Sequence, residues 1–210
     1  MPETDRVALE HSADSALLRA TLRRERLAAR VALPTATHAN LCARLATHLA
    51  APLFARPATH IGFCSPVQNE FDARPLVARL IAAGWQASMP VVVEAAAPMV
   101  FRPWTPQSPM TTDRHGIPIP DTDAVSTAPT ILLLPLVAFD AAGYRLGYGG
   151  GYFDRTLAAC AVRPMTIGVG FELARLATVL PQAHDLACDV IVTEAGWQPH
   201  AASLPGRQTS

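Results

Sequence analysis

No lysine occurs anywhere in the 210 residues: all 17 basic side chains are arginine, set against 17 acidic ones. Chemistry that needs a lysine amine is thereby excluded. Schiff-base and pyridoxal-phosphate catalysis go, as does the Walker-A loop, whose lysine reaches the nucleotide phosphates. Phosphate, if it is handled at all, must be met by arginines and backbone amides. An excess of one sign of charge is also missing, since the formal net charge is zero. No nucleic-acid partner held by a broad basic surface is expected, although a local basic pocket stays open.

Long apolar runs are absent too. Residues 130–138 are interrupted by Pro135 and fall far short of a membrane span. The start, Met1-Pro2-Glu3-Thr4-Asp5-Arg6, is polar and acidic, so no secretory signal and no membrane partner are expected. Cys42, Cys64, Cys160 and Cys188 form no CxxC pair, which predicts free thiols in a cytoplasmic protein. The seven histidines show no HExxH spacing and make no metal set.

What is present reads as one α/β domain over residues 12–198, with loose tails at 1–11 and 199–210. Residues 12–33 predict a helix with Ser12 as N-cap. Leu17, Leu18, Leu22 and Val31 would form its apolar face, and Arg19, Arg23, Arg24, Arg26 and Arg30 its solvated one. After Pro34, Thr35 can cap a second helix to about Phe54. Strands are expected at 61–64, 86–93, 99–104, 130–137, 165–170 and 190–193, with helices at 72–84 and 152–161. Strand, helix, strand with short connections implies a mostly parallel sheet with helices on both faces, a three-layer α/β/α arrangement. Residues 103–129 hold six prolines and read as an extended loop.

The densest chemical signal follows the most hydrophobic strand: Arg145-Leu146-Gly147-Tyr148-Gly149-Gly150-Gly151-Tyr152-Phe153-Asp154-Arg155. Glycines let a ligand approach the backbone closely, and exposed amides at the start of the following helix favour phosphate oxygens. The spacing is not GxGxxG, because Tyr152 stands where a third glycine would be required. A tight turn would explain one or two glycines but not four flanked by Arg145, Asp154 and Arg155.

This segment, with Pro135-Leu136-Val137-Ala138-Phe139-Asp140 before it, resembles the hallmark of the 5-formyltetrahydrofolate cyclo-ligases, or methenyltetrahydrofolate synthetases. The likeness extends over roughly residues 16–197. It takes in the arginine helix, the loop from Ser65 to Glu70, Phe101-Arg102-Pro103-Trp104, and His184-Asp185…Asp189…Thr193-Glu194. The resemblance implies a Rossmann-like fold of the ribose-isomerase and CoA-transferase type. It also implies ATP- and magnesium-dependent closure of 5-formyltetrahydrofolate (folinate) to 5,10-methenyltetrahydrofolate, with release of ADP and phosphate. The formyl oxygen would attack the γ-phosphate, and N10 would then displace the phosphate. A non-catalytic folate- or nucleotide-binding module on the same fold is the alternative.

Carried over residue by residue, the resemblance puts ATP on Arg19, Arg23, Arg145, Gly147, Tyr148, Gly149, Gly150, Gly151, Tyr152 and Phe153. Arg145 and Tyr152 would also serve catalysis. Arginine fills the position of Arg19, where the family usually has lysine, and Phe153 replaces a more usual tyrosine. The substrate would meet Ser65, Glu70, Trp104 and Tyr152. Glu70 can accept paired hydrogen bonds from a pterin ring, while Trp104 serves equally well as a core residue. Magnesium would be held by Asp154 and by Asp185, with Asp189 as the rival for the second place. Asp154 also reads as an ordinary helix-capping aspartate. A monomer acting on small molecules alone is expected.

Overall fold

Two helices open the chain, α1 (Glu3–Val31) and α2 (Thr35–Phe54), in the computed structural model, which describes residues 3–199. There follow β1 (His60–Gly62), α3 (Arg74–Ala82), β2 (Gln86–Val91), β3 (Val100–Pro103), β4 (Met110–Thr112), β5 (Pro118–Pro120) and β6 (Ile131–Pro135). The remainder comprises β7 (Ala138–Phe139), β8 (Arg145–Leu146), α4 (Tyr152–Ala159), β9 (Met165–Val169), a 3-10 turn (Glu172–Ala174), β10 (Val190–Thr193) and β11 (Gly196–Pro199). Of the tails expected at 1–11 and 199–210, residues 1–2 and 200–210 lie outside the described residues. Residues 3–11 belong to α1, so that helix begins before Ser12, and Pro199 ends β11. Among the described residues no helix is long and apolar enough to cross a membrane.

The main sheet runs β11-β10-β9-β6-β1-β2-β3. Its inner strands β10, β9, β6, β1 and β2 are parallel, and an antiparallel strand closes each edge. The third expected strand, β3, is antiparallel because the short link 92–99 cannot make a crossover. β6 explains the layering. Ile131 and Leu133 join the cluster under α2 and α3, built on Leu45, Leu49, Leu53, Leu76 and Leu80, whereas Leu132 and Leu134 join Leu157 of α4 on the opposite face. Both faces are therefore covered, as a buried parallel sheet requires.

Three expectations need correction. Residues 103–129 are not all loop: β4 and β5 form a hairpin whose tip is turned by Asp113, Oδ1 of which accepts the N–H groups of His115 and Ile117. Thr35 is the first residue of α2 and makes no side-chain cap; Pro34 stands at the cap. Most informative is α1, whose predicted faces are reversed. Leu17, Leu18 and Val31 are 69%, 55% and 50% exposed, while Arg19 and Arg30 are 6% and 5% exposed. Of the predicted apolar face only Leu22 packs inward, against Ala138, Leu146 and Val179.

The physical reason lies in what α1 covers. It lies against the loops that follow the parallel strands, where backbone carbonyls lack sheet partners. Arg19, Arg23, Arg26 and Arg30, spaced as one helix face, donate to Leu180, Gly147, Leu173, and both Gln68 and Leu136 carbonyl oxygens respectively. Guanidinium forks supply there what leucines cannot.

Candidate active site

Among the parallel strands the order reverses between β1 and β6: the chain moves outward from β1 to β2 on one side and from β6 to β9 and β10 on the other. Open α/β sheets bind ligands at the carboxyl ends of strands beside such a switch point. The loop after β1 carries Ser65 and Glu70, and the segment after β6 carries the glycine run. The two expected halves of the site thus lie side by side.

The small β7–β8 pair delivers the glycine run. Its turn is fixed by buried Asp140, which accepts the N–H groups of Ala142, Tyr144 and Val179. Gly151 then occupies the N-cap of α4 at φ 62°, a left-handed position that suits glycine. Gly150 is required sterically, since a Cβ there would meet the Tyr152 ring at 2.8 Å. Gly147 has no such reason: a Cβ there would meet nothing within 4 Å.

Arg23 lies over this loop. Its Nε donates to the Gly147 carbonyl at 2.9 Å, and the guanidinium flanks Gly149. No hydrogen bond within the protein engages its two terminal nitrogens among the described residues. Burial first, then the Arg19 charge, lower its pKa, with Asp185 opposing. It is the free cationic fork of the loop.

The other expected phosphate arginines are engaged inside the protein. Arg19 pairs with Asp185, Nη1 to Oδ2 at 2.5 Å and Nη2 to Oδ1 at 3.2 Å. Arg145, 7% exposed, donates to the Leu186 carbonyl at 2.6 Å and to Oδ1 of Asp154 at 3.0 Å. The same Asp154 oxygen accepts the Leu186 N–H at 3.2 Å, so both bonds fall on Oδ1 and leave Oδ2 outside them.

The carboxylates sort accordingly as magnesium ligands. Among the described residues Asp154 keeps one oxygen, Oδ2, without a hydrogen bond at the start of α4. Asp185 has both oxygens bound by Arg19, with the Gln182 N–H added. Burial would raise the Asp185 pKa, but the hydrogen bonds from Arg19 and Gln182 outweigh it and hold the group below its ordinary value. Asp189 accepts both the N–H and the hydroxyl of Thr166 at 2.7 Å, which clamps β10 to β9. No group of three or more metal-ligating side chains occurs among the described residues. Magnesium bound to nucleotide needs only one or two carboxylates besides phosphate and water, and Asp154 fits that demand.

Glu70 is 8% exposed. Its Oε2 accepts the Val67 N–H at 3.0 Å, and its Oε1 accepts the Tyr148 hydroxyl at 2.6 Å. Burial raises its pKa, while Tyr148, Arg30 and Val67 pull the other way. Ser65 donates its hydroxyl to the Pro118 carbonyl at 2.6 Å, and so anchors β5 beside this loop. Trp104 is 7% exposed and packs edge-on against Phe63 with centroids 5.0 Å apart. Its remaining edge borders a cleft of about 300 Å³ shared with Arg74 and Met110. Phe153 packs onto the Leu157 cluster, on the core side of α4.

Tyr152 is half-buried and held from two sides. Arg114, at the β4–β5 tip, donates to its hydroxyl at 2.8 Å, and the Arg155 guanidinium stands 5.0 Å from its ring centre. Neither Arg114 nor Arg30 was anticipated in the site. For Arg30 the signal was available, because 19, 23, 26 and 30 share one helix face. For Arg114 nothing in the sequence linked the hairpin tip to Tyr152.

Known proteins support the same picture. The family model described as the 5-formyltetrahydrofolate cyclo-ligase family matches residues 12–194. A 5-formyltetrahydrofolate cyclo-ligase of Escherichia coli (strain K12) is 40% identical over 94 residues, 42% of this chain and 52% of that protein. One from Haemophilus influenzae is 35% identical over 96 residues, 41% of this chain and 51% of that protein. The chain thus spans about half the length of these curated relatives. The 5,10-methenyltetrahydrofolate synthetase of Aquifex aeolicus superposes with a TM-score of 0.76 at 25% identity, covering 92% of this chain and 96% of that one. The Mycoplasma pneumoniae synthetase shares the fold, with a TM-score of 0.69 at 23% identity.

Proposed function

This chain belongs to the 5-formyltetrahydrofolate cyclo-ligase family, and from that premise we propose that it closes folinate to 5,10-methenyltetrahydrofolate at the expense of ATP. The observation that carries the proposal is the 2.6 Å hydrogen bond from Tyr148 of the glycine run to Glu70. It joins a phosphate-type loop and a buried carboxylate in a single site, as a reaction between a nucleotide and a pterin requires.

In this reading the glycine amides and the Arg23 fork bind the ATP phosphates, and Tyr152 forms a flat wall of the site. Arg114 and Arg155, on either side of Tyr152, add positive charge where the triphosphate enters. Glu70 accepts the paired donors of the pterin ring, and Trp104 backs the folate side. The formyl oxygen attacks the γ-phosphorus and ADP leaves. N10 then attacks the formyl carbon and gives up its proton, the C–O bond breaks, and phosphate departs with that oxygen, the N10 proton passing to the released phosphate or to solvent. No protein nucleophile is needed, so catalysis rests on positioning and charge. Magnesium, when bound, would neutralise phosphate oxygens, and Asp154 would hold it through Oδ2. Arg145 acts through Asp154 by fixing Oδ1, and the buried Arg19–Asp185 pair braces the chain beside the site.

The test is direct. Folinate, ATP and magnesium mixed with the purified protein should yield the near-ultraviolet absorbance of the methenyl product. No absorbance change, together with no ATP hydrolysis, would overturn the proposal.

A further inference from the structure

Arg30, at the end of the arginine face of α1, is bonded to three separate segments of the site. Its Nε donates to the Gln68 carbonyl at 2.9 Å, Nη1 to the Leu136 carbonyl at 2.8 Å, and Nη2 to the Tyr148 hydroxyl at 2.6 Å. Nη2 also stands 3.6 Å from Oε1 of Glu70, with both side chains almost fully buried. We propose that Arg30 is a positioning residue for the reaction: it sets the Glu70 carboxylate for the pterin, through the Gln68 carbonyl on one side and through the Tyr148 hydroxyl on the other. The inference rests on the folinate reading above.

The Glu70 loop needs such a clamp. Gln68 and Asn69 take φ of 49° and 57°; asparagine accepts this left-handed region more readily than most residues, but glutamine rarely adopts it and needs outside support there. Arg30 supplies it at Gln68, and Asn69 adds a bond to the Val31 carbonyl, so the end of α1 holds both left-handed residues. With the loop held, Glu70 spends one acceptor position of Oε2 on Val67 and one of Oε1 on Tyr148. Each oxygen then has a second lone pair for the two parallel donors of a pterin.

Only arginine can do this from one position. Its planar fork reaches acceptors in several directions, whereas a lysine ammonium is a single point. The groups facing Glu70 are Arg30 from α1, Tyr148 from the glycine run and Cys64 from the loop just after β1. Burial pushes the Cys64 thiol up, so it stays neutral. Removing the Tyr148 hydroxyl removes a bond that favours the Glu70 carboxylate, and burial then raises the Glu70 pKa further.

The experiment compares wild type with Arg30→Lys and Tyr148→Phe in steady-state kinetics and in direct folinate binding without ATP. Arg30→Lys should raise the folinate KM by about tenfold or more, the scale of a lost charge-assisted bond, while the ATP KM stays within about twofold. In Tyr148→Phe the acidic limb of kcat/KM for folinate should move to higher pH. Both KM values rising together, or a fall in Tm with neither KM moved, would make Arg30 a structural brace and overturn the inference. If Arg30→Lys does not fold, Arg30→Gln is read in the same assays, and failure of both to fold makes Arg30 a structural brace and overturns the inference. A wild-type protein that neither binds nor converts folinate overturns the reading and this inference with it. An active wild type whose variants keep its folinate KM and pH limb overturns the inference only.

Discussion

Arg19 and Asp185 face each other as a two-pronged ion pair, with side chains only 7% and 8% exposed. Both were expected to face ligand, one towards phosphate and one towards magnesium. Their burial gives the pair a structural duty that either single substitution exposes. Arg19→Ala leaves a buried carboxylate without a counter-charge, which costs about 3–5 kcal/mol. Calorimetry or a thermal melt should show a fall in Tm on the order of 10 °C, and Asp185→Ala should do likewise. An unchanged Tm in both would mean that the pair does not hold the loop. Arg23→Ala is the contrast: it loses one carbonyl bond, so its effect should appear in the ATP KM and hardly in Tm.

Asp154 accepts both Arg145 and the Leu186 N–H on Oδ1, and neither bond falls on Oδ2. Asp154→Asn keeps an acceptor for Arg145 while removing the charge. The magnesium concentration giving half the maximal rate should therefore rise about tenfold or more, with the fold retained by circular dichroism. An unaltered magnesium requirement would assign the metal elsewhere.

The sheet was legible because buried parallel strands are continuous apolar runs, as at Ile131–Pro135, and the glycine run was legible because four glycines near Arg145 and Asp154 have few other uses. The orientation of α1 was not. Hydrophobicity turned Leu17 and Leu18 inward, yet the deciding demand came from carbonyls at Gln68, Leu136, Gly147, Leu173 and Leu180, which only the folded chain brings under one helix. The pairing of Arg19 with Asp185 crosses nearly the whole sequence, so no local pattern could carry it. β4 and β5 are too short for any periodicity, and with them the approach of Arg114 to Tyr152 was hidden.

Beside the site, Glu172 accepts Arg175 Nε at 2.7 Å and Nη2 at 3.0 Å, the Thr193 hydroxyl at 2.5 Å and the Gln198 amide at 2.7 Å. The Arg175 bonds above all, against the opposing effect of burial and with help from Thr193 and Gln198, lower its pKa from 4.5 to about 2. A carboxylate depressed on folding contributes stability that is complete above its unfolded pKa and is lost as pH falls through its folded one. The window is therefore about pH 4.5 down to 2. The group is a third exposed, so screening limits the contribution to on the order of 1–2 kcal/mol. Glu172→Gln should melt below wild type at pH 7, and the gap should close as the pH approaches 2. A gap constant across that range would rule out this linkage.

Gly147 separates what the free protein needs from what a ligand needs. It has no left-handed φ, and a Cβ would meet nothing within 4 Å, so Gly147→Ala should leave Tm within about 2 °C of wild type. Gly149→Ala and Gly151→Ala, at φ 98° and 62°, should both be destabilising, because alanine resists left-handed backbone. If phosphates approach the backbone at this loop, the methyl group added by Gly147→Ala stands in the space they require, and the ATP KM should rise about tenfold while the folinate KM hardly moves. Loss of stability without loss of ATP affinity would reverse the argument and make Gly147 a turn residue like its neighbours. The full combination, an unstrained and uncrowded glycine whose replacement harms only nucleotide binding, is what a phosphate loop predicts and a simple tight turn does not.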